Sequence, residues 1–319
     1  MKKAYLILCC TTLCAYGQVQ SEQHTEIQVS KEVSIQLYSV RDLLNQLHQE
    51  QTASEQYLKV LNELKQMGYT SIEAANYHNG LFYGRTPEAF KQDIEQAGMQ
   101  VLSSHCGKGL SEEELKSGNF SSSLEWWKKC ISDHKKAGMK YIVCPWMDIP
   151  KSLKDLDTYC KYYNEIGKLC KVEGISFGYH NHAHEFQKIE NQTVMYDYML
   201  EHTNPDYVFF QMDVYWVVRG QNSPVDYFKK YPGRFKILHI KDHREIGQSG
   251  MVGYDAIFKH IKQAGVQAIV AEIEQYSTPN VMKSVKESLE YLQEADFVPA
   301  QYNPVSYTHL RAHETRHDL

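Results

Sequence analysis

Apolar and polar residues alternate in short blocks along most of this chain. A helix-like stretch is followed by a glycine, and the glycine by a short β-rich apolar run. The pattern is seen at Met67-Gly68-Tyr69, Ala97-Gly98-Met99, Ala137-Gly138-Met139, Glu173-Gly174-Ile175, Pro232-Gly233-Arg234 and Ala264-Gly265-Val266. Glycine suits the left-handed residue just past a helix end, after which the chain turns back into a strand. Asn204-Pro205-Asp206 stands in for the glycine before Val208-Phe209-Phe210. The first apolar run, Val33–Tyr38, has no helix before it.

This gives eight strands, each followed by a helical pattern. The helices are predicted near Thr52–Met67, Pro87–Ala97, Ser121–Ala137, Leu153–Glu173, Thr193–His202, Pro224–Tyr231, Tyr254–Ala264 and Val281–Ala295. Pro87 and Pro224 fall at helix starts, where a missing N–H costs nothing. Leu124, Trp127 and Ile131 form an amphipathic face. Eight strand–helix units predict an α/β fold, a (β/α)8 TIM barrel. A doubly wound open sheet is the competing architecture, and the lack of a Gly-x-Gly-x-x-Gly after the first strand counts against its dinucleotide-binding version. With 319 residues the chain is long enough for one barrel, expected over residues 33–303, and no boundary interrupts the repeat.

The ends read differently. Met1-Lys2-Lys3, the apolar Ala4–Ala15 and the small residues up to Gly17 have the form of a cleavable export signal over residues 1–17. Residues 18–32 are then a polar linker, and the mature protein is expected in the periplasm or secreted. The apolar run is too short to span a bilayer. Removing it leaves Cys106, Cys130, Cys144, Cys160 and Cys170, an irregular odd set that is no disulfide framework. Residues 304–319 resemble a translated sequencing adapter and are read as a non-native tail, so His309, His313 and His317 carry no weight. The net charge of -5, without a basic block, gives no electrostatic footprint for nucleic acid.

In a parallel barrel, function collects where strands end. The densest cluster is Gly178-Tyr179-His180-Asn181-His182-Ala183-His184-Glu185-Phe186, after a buried strand. Later ends carry Asp213, then His239 with Lys241-Asp242, then Glu272 and Glu274. His180, Asp213, His239 and Glu272 come from consecutive strands and form a candidate metal shell. Two imidazoles and two carboxylates suit divalent Mn, Co, Zn or Fe. Glu272 and Glu274 point the same way on an extended chain, so period alone leaves the choice open; Glu272, nearer the apolar run, is preferred. His182 is a further ligand or an orienting donor. Glu272, Lys241 and His182 are the candidate proton-moving groups. Tyr38, Glu73, His105, Trp146 and Trp216, also near strand ends, are expected to line a substrate pocket. Taken singly, each is matched by a structural role such as a core histidine or a surface ion pair.

These residues resemble the sugar phosphate isomerase/epimerase superfamily, the xylose isomerase-like barrels. The resemblance covers about Val33–Phe297 and is carried by Gly178-Tyr179-His180-Asn181-His182, Met212-Asp213, His239-Ile240-Lys241-Asp242 and Ala271-Glu272-Ile273-Glu274. It implies a divalent metal and chemistry at a carbon beside a carbonyl. In epimerase members a glutamate from strand five and one from strand eight hold the metal and shuttle protons; here His180 occupies the first position. The expectation is a metal-dependent isomerase or epimerase acting on a sugar or keto-sugar through an enediolate. The alternatives are a β-eliminating lyase or dehydratase on a 3-keto-glycoside or related keto-sugar, and a non-catalytic secreted carbohydrate-binding barrel. The expected partner is a small carbohydrate, with no nucleic acid and no membrane span; a homo-oligomer is left open.

Overall fold

Eight short parallel strands close on one another in chain order: β1 Ser34–Gln36, β2 Ser71–Ala74, β3 Gln100–His105, β4 Tyr141–Cys144, β5 Ser176–His180, β6 Val208–Asp213, β7 Ile237–Lys241 and β8 Ala268–Glu272, with β8 pairing back onto β1. This is seen in a computed structural model that describes residues 30–45 and 53–302. The expected export signal, nearly all of the linker and the tail lie outside the described residues. Among the described residues no helix is long and apolar enough to cross a membrane.

The strands are buried almost throughout because helices cover the outside of the barrel while side chains fill its inside. The helices fall where the periodicity puts them, for example Pro87–Gln96, Ser121–Lys136, Leu153–Val172 and Val281–Glu294. Thr86 and Ser223 cap the two helices that begin with proline. Gly98 and Gly138 both take φ of 79° just past helix ends, as the repeat requires. On the helix Ser121–Lys136, Trp127 and Ile131 are buried against the barrel, and the Trp127 indole donates to the Tyr162 hydroxyl at 2.7 Å.

Two differences from the sequence reading matter for the site. The first strand stops at Gln36 rather than running to Tyr38, and Leu37–Val40 form a 3-10 turn. The cause is the Gln36 side chain, which accepts from the Tyr38 backbone N–H at 3.2 Å and folds the chain over. A short helix, Val214–Arg219, follows β6 directly, with Asp213 as its cap.

Inside the barrel the side chains lie in layers. At the strand starts is an apolar plug of Leu102, Val143, Phe209, Ile237 and Val270. Above it stand polar side chains: Gln36, Glu73, Ser103, Gln211 and His239, all at 0% exposure. Gly178 faces inward beside the plug, and a Cβ there would lie 2.6 Å from the Phe209 ring. The plug can hold a full phenylalanine only because β5 gives up a side chain at this level. The Gly178→Ala variant is therefore expected to lose about 1–3 kcal/mol of stability in urea unfolding, and Phe209→Leu in the same chain to recover part of it. An unchanged unfolding midpoint for Gly178→Ala would contradict this layering.

Candidate metal centre and active site

The site is built upward from Glu73. This β2 carboxylate is fully buried and surrounded by donors. Its Oε1 accepts from Gln36 Nε2 at 2.8 Å and His239 Nε2 at 2.5 Å, with His105 Nε2 at 3.1 Å. Its Oε2 accepts from Ser103 Oγ at 2.5 Å and Gln211 Nε2 at 2.7 Å. Burial alone would favour the neutral acid, but the charges and hydrogen bonds of His105 and His239 hold the carboxyl well below its usual range.

This carboxylate fixes which imidazole nitrogens remain for a ligand. A carboxylate only accepts, so the amide nitrogen of Gln211 faces Glu73 and its carbonyl oxygen faces away. That oxygen accepts from His105 Nε2 at 2.7 Å and His180 Nδ1 at 3.0 Å. His180 thus carries its proton on Nδ1 and keeps an Nε2 lone pair. His239 has Nε2 committed to Glu73, while Nδ1 lies 3.3 Å from Glu272 Oε2. Imidazoles oriented by a second partner in this way are what metal ligation requires.

Register brings the rest together. Asp213 pairs with His239 across β6 and β7, and Lys241 with Glu272 across β7 and β8. One ligand atom each from His180, Asp213, His239 and Glu272 lie within 4.8 Å of one another, and all four residues are buried. Asp213 Oδ1 accepts from the Trp216 backbone N–H at 2.9 Å, whereas Oδ2 is buried without a hydrogen-bond partner. Desolvation raises the Asp213 carboxyl to about 7, with Lys241 and His239 only partly offsetting it. An unpartnered buried carboxylate oxygen is costly. Beside two imidazoles and a second carboxylate, it fits a divalent cation.

Lys241 is 2% exposed and reaches over the cluster, its Nζ 2.9 Å from Glu274 Oε2 and 3.9 Å from Glu272 Oε2. Burial would raise the Glu272 carboxyl, but Lys241 and His239 draw it down to about 2. Glu274 is therefore the lysine's partner and Glu272 the cluster's. Lys241 and Asp242, adjacent in sequence, do not act as a pair. Asp242 turns away and accepts from the His243 and Gly247 backbones and from the Ser249 hydroxyl, ordering its own loop.

A cavity of about 280 Å³ opens over the cluster, lined by Tyr38, His105, Trp146, His180, His182, Glu272 and Glu274 among others. Trp146, 53% exposed, stands against the His182 and His184 rings. The His182 backbone N–H donates to Glu185 at 2.8 Å, and its Nδ1 is buried without a partner. Burial drives the His182 imidazole down to about 3, so it is neutral. Of the residues expected to line a substrate pocket, Tyr38, His105 and Trp146 do so. Glu73 does not; it lies beneath the cluster with both oxygens engaged. Trp216 sits behind His182, ring centroids 5.7 Å apart, rather than among the lining residues. A larger cavity of about 750 Å³ lies at the opposite end of the barrel, among the strand starts, and contains none of the cluster; the chemistry is at the strand ends. Gln211 and Asn181 were missed in the sequence. Asn181 holds β6 by accepting from the Asp213 N–H at 3.1 Å. Gln211, a polar residue inside the apolar run Val208–Met212 two positions before Asp213, was the available signal.

The chain belongs to the xylose isomerase-like TIM barrel family, whose model matches residues 61–295. Two solved structures from Parabacteroides distasonis, each described as a sugar phosphate isomerase/epimerase, are similar to it. One is 35% identical, covering 84% of this chain and all of that one, with a TM-score of 0.74. The other is 31% identical, covering 86% and 98%, with a TM-score of 0.75. An inosose dehydratase from Geobacillus kaustophilus is 25% identical over 207 residues, 58% of this chain and 62% of that enzyme's length.

The Asp213 carboxyl makes a prediction about metal-free protein. Its folded value near 7 is above its unfolded value, so its contribution to stability is complete below about pH 4 and is lost as pH rises through 7. With chelator present, Asp213→Asn should gain stability relative to the parent chain as pH rises from 4 to 8, by up to about 4 kcal/mol. A stability difference between the two that does not change with pH would contradict the burial of an unpaired carboxylate here.

Proposed function

We propose that this protein is a divalent-metal enzyme that moves a proton at the carbon beside the carbonyl of a sugar or keto-sugar, giving isomerisation or epimerisation. The observation that carries this reading is the unpartnered Asp213 Oδ2 beside His180, His239 and Glu272, of which His180 and Glu272 line a cavity of about 280 Å³. His180 through Nε2, His239 through Nδ1, Asp213 and Glu272 would hold the ion. When bound, it supplies Lewis acidity that makes the C–H between a carbonyl and a hydroxyl-bearing carbon easier to ionise.

The chain's own groups do the rest. Glu272 lines the cavity and is held ionised by Lys241 and His239, the form a proton acceptor needs. Its weak basicity means it can act only on an acidified C–H. Lys241, its charge maintained against burial by Glu272, Asp213 and Glu274, keeps negative charge balanced as the proton moves. His182, neutral and lining the cavity, is placed to bond a substrate hydroxyl, and Glu272, once protonated, is the group that returns a proton to carbon. Trp146 and Tyr38 offer apolar faces against which a sugar ring can rest.

A second reading, β-elimination of water or another substituent from the same carbanion, is favoured by His180. With histidine in place of a strand-five carboxylate, no second glutamate from β5 serves the opposite face of the substrate, and elimination needs none. The similarity to an inosose dehydratase points the same way.

One experiment separates these. Protein loaded with Mn²⁺ or Zn²⁺ is incubated with ketohexoses and inososes in D₂O and followed by mass spectrometry and NMR. Deuterium at the carbon beside the carbonyl is expected. Unchanged connectivity with altered stereochemistry or carbonyl position indicates the first reading, and loss of water the second. Glu272→Gln should lower the exchange rate by about 10²–10⁴-fold. No exchange with any substrate, from protein shown to hold the ion, would overturn both.

A further inference from the structure

A second cluster of reactive side chains lies on the other side of β3, away from the cavity. Cys106, one residue past His105, places its Sγ 3.4 Å from Cys130 Sγ on the helix Ser121–Lys136. His134, one turn further along that helix, lies with Nδ1 3.4 Å from Cys130 Sγ. All three are buried: Cys106 is 6% exposed, Cys130 and His134 0%. We propose that Cys106 and Cys130 are a peroxide-oxidisable dithiol that closes to a disulfide, with Cys106 as the attacking sulfur.

The geometry favours a disulfide over a metal site. Two thiolates on a tetrahedral zinc stand roughly 3.8 Å apart, from a Zn–S bond of about 2.3 Å, so this pair is already closer. The His134 Nδ1–H is also committed, donating to the Cys130 carbonyl at 2.7 Å. The two thiols differ in the manner of a nucleophile and its resolving partner. Burial opposes ionisation of Cys106, but the Cys130 thiol 3.4 Å away and the neighbouring His134 ring bring it down to about 6. Burial pushes Cys130 well above its usual value. The thiolate is the reactive form, so attack begins at Cys106. The Cys106 backbone N–H is fixed to Val143 on β4 at 2.9 Å, so its position is set by the sheet.

The chemistry balances with hydrogen peroxide as the only co-reactant. The Cys106 thiolate attacks one peroxide oxygen. An S–O bond forms, the O–O bond breaks, sulfur loses two electrons, and the departing hydroxide takes up a proton to leave as water. The Cys130 sulfur then attacks the sulfenyl sulfur. The S–S bond forms, the S–O bond breaks, and the second oxygen leaves as water with the Cys130 proton. Closing the gap takes the sulfurs from 3.4 Å to a bond of about 2.0 Å.

Tryptic mapping of the full chain tests this. Cys106 lies in peptide 92–108 and Cys130 in peptide 130–135. After brief treatment of the folded protein with peroxide and blocking of free thiols, the two peptides are expected as one linked species, lighter than their sum by two hydrogens. Dithiothreitol should restore both. Linking should occur equally with and without chelator and survive Cys144→Ser. In Cys130→Ser, a dimedone adduct at Cys106 should replace the link. The proposal is overturned if peroxide leaves both peptides free and alkylatable, if either pairs instead with another cysteine, or if linking occurs only after chelation, which would make the cluster a metal site.

Discussion

A single buried carboxylate sets the geometry of everything above it. Glu73 holds His239 by Nε2, and it holds His180 indirectly through the amide of Gln211. Without that anion the two imidazoles would have no reason to present Nδ1 and Nε2, respectively, toward the same point. Its desolvation is offset by the donors of Gln36, Ser103, Gln211, His105 and His239. These come from β1, β2's neighbour β3, β6 and β7, so the polar layer also ties distant parts of the barrel together. A partly satisfied network of this kind would be worse than an apolar core.

The layering explains how a barrel can carry so much charge inside. An apolar plug closes the end where the strands begin, and Gly178 leaves room for Phe209 within it. The polar layer rests on that plug, out of contact with solvent. His239 belongs to that layer, the other candidate ligands rest on it, and a cavity opens over them. Each level removes freedom from the one above, so that four side chains from β5 to β8 arrive preoriented. Asp213 is a case in point: one oxygen caps a helix, so the carboxylate cannot turn away, and the other has nowhere to go but the cluster.

The repeat of helix, glycine and strand was legible because each glycine does local work that only glycine does cheaply. The candidate ligands were legible as well, since histidine and carboxylate at successive strand ends form a pattern visible at period two. Height within the barrel was not. Glu73 and His105 both read as strand-end polar residues, yet one lies beneath the cluster and the other on the cavity wall. Lys241 and Asp242 are adjacent in sequence, but Lys241 ends β7 beside Glu272 and Glu274 whereas Asp242 turns into the loop that follows. The choice between Glu272 and Glu274 turned on Lys241, whose reach across β8 no pattern encodes. The turn at Leu37 depends on a side chain, Gln36, that competes for its own backbone, a local event that hydrophobicity does not report.

The central claim is that four side chains share one cation at the mouth of the barrel. Crystals grown with Mn²⁺ and measured near its absorption edge test it most directly. The account predicts one strong anomalous peak at coordination distance from His180 Nε2, His239 Nδ1, Asp213 Oδ2 and a Glu272 oxygen. A fully occupied ion bound elsewhere, or no peak at this point at saturating Mn²⁺, Zn²⁺ and Co²⁺, would contradict it.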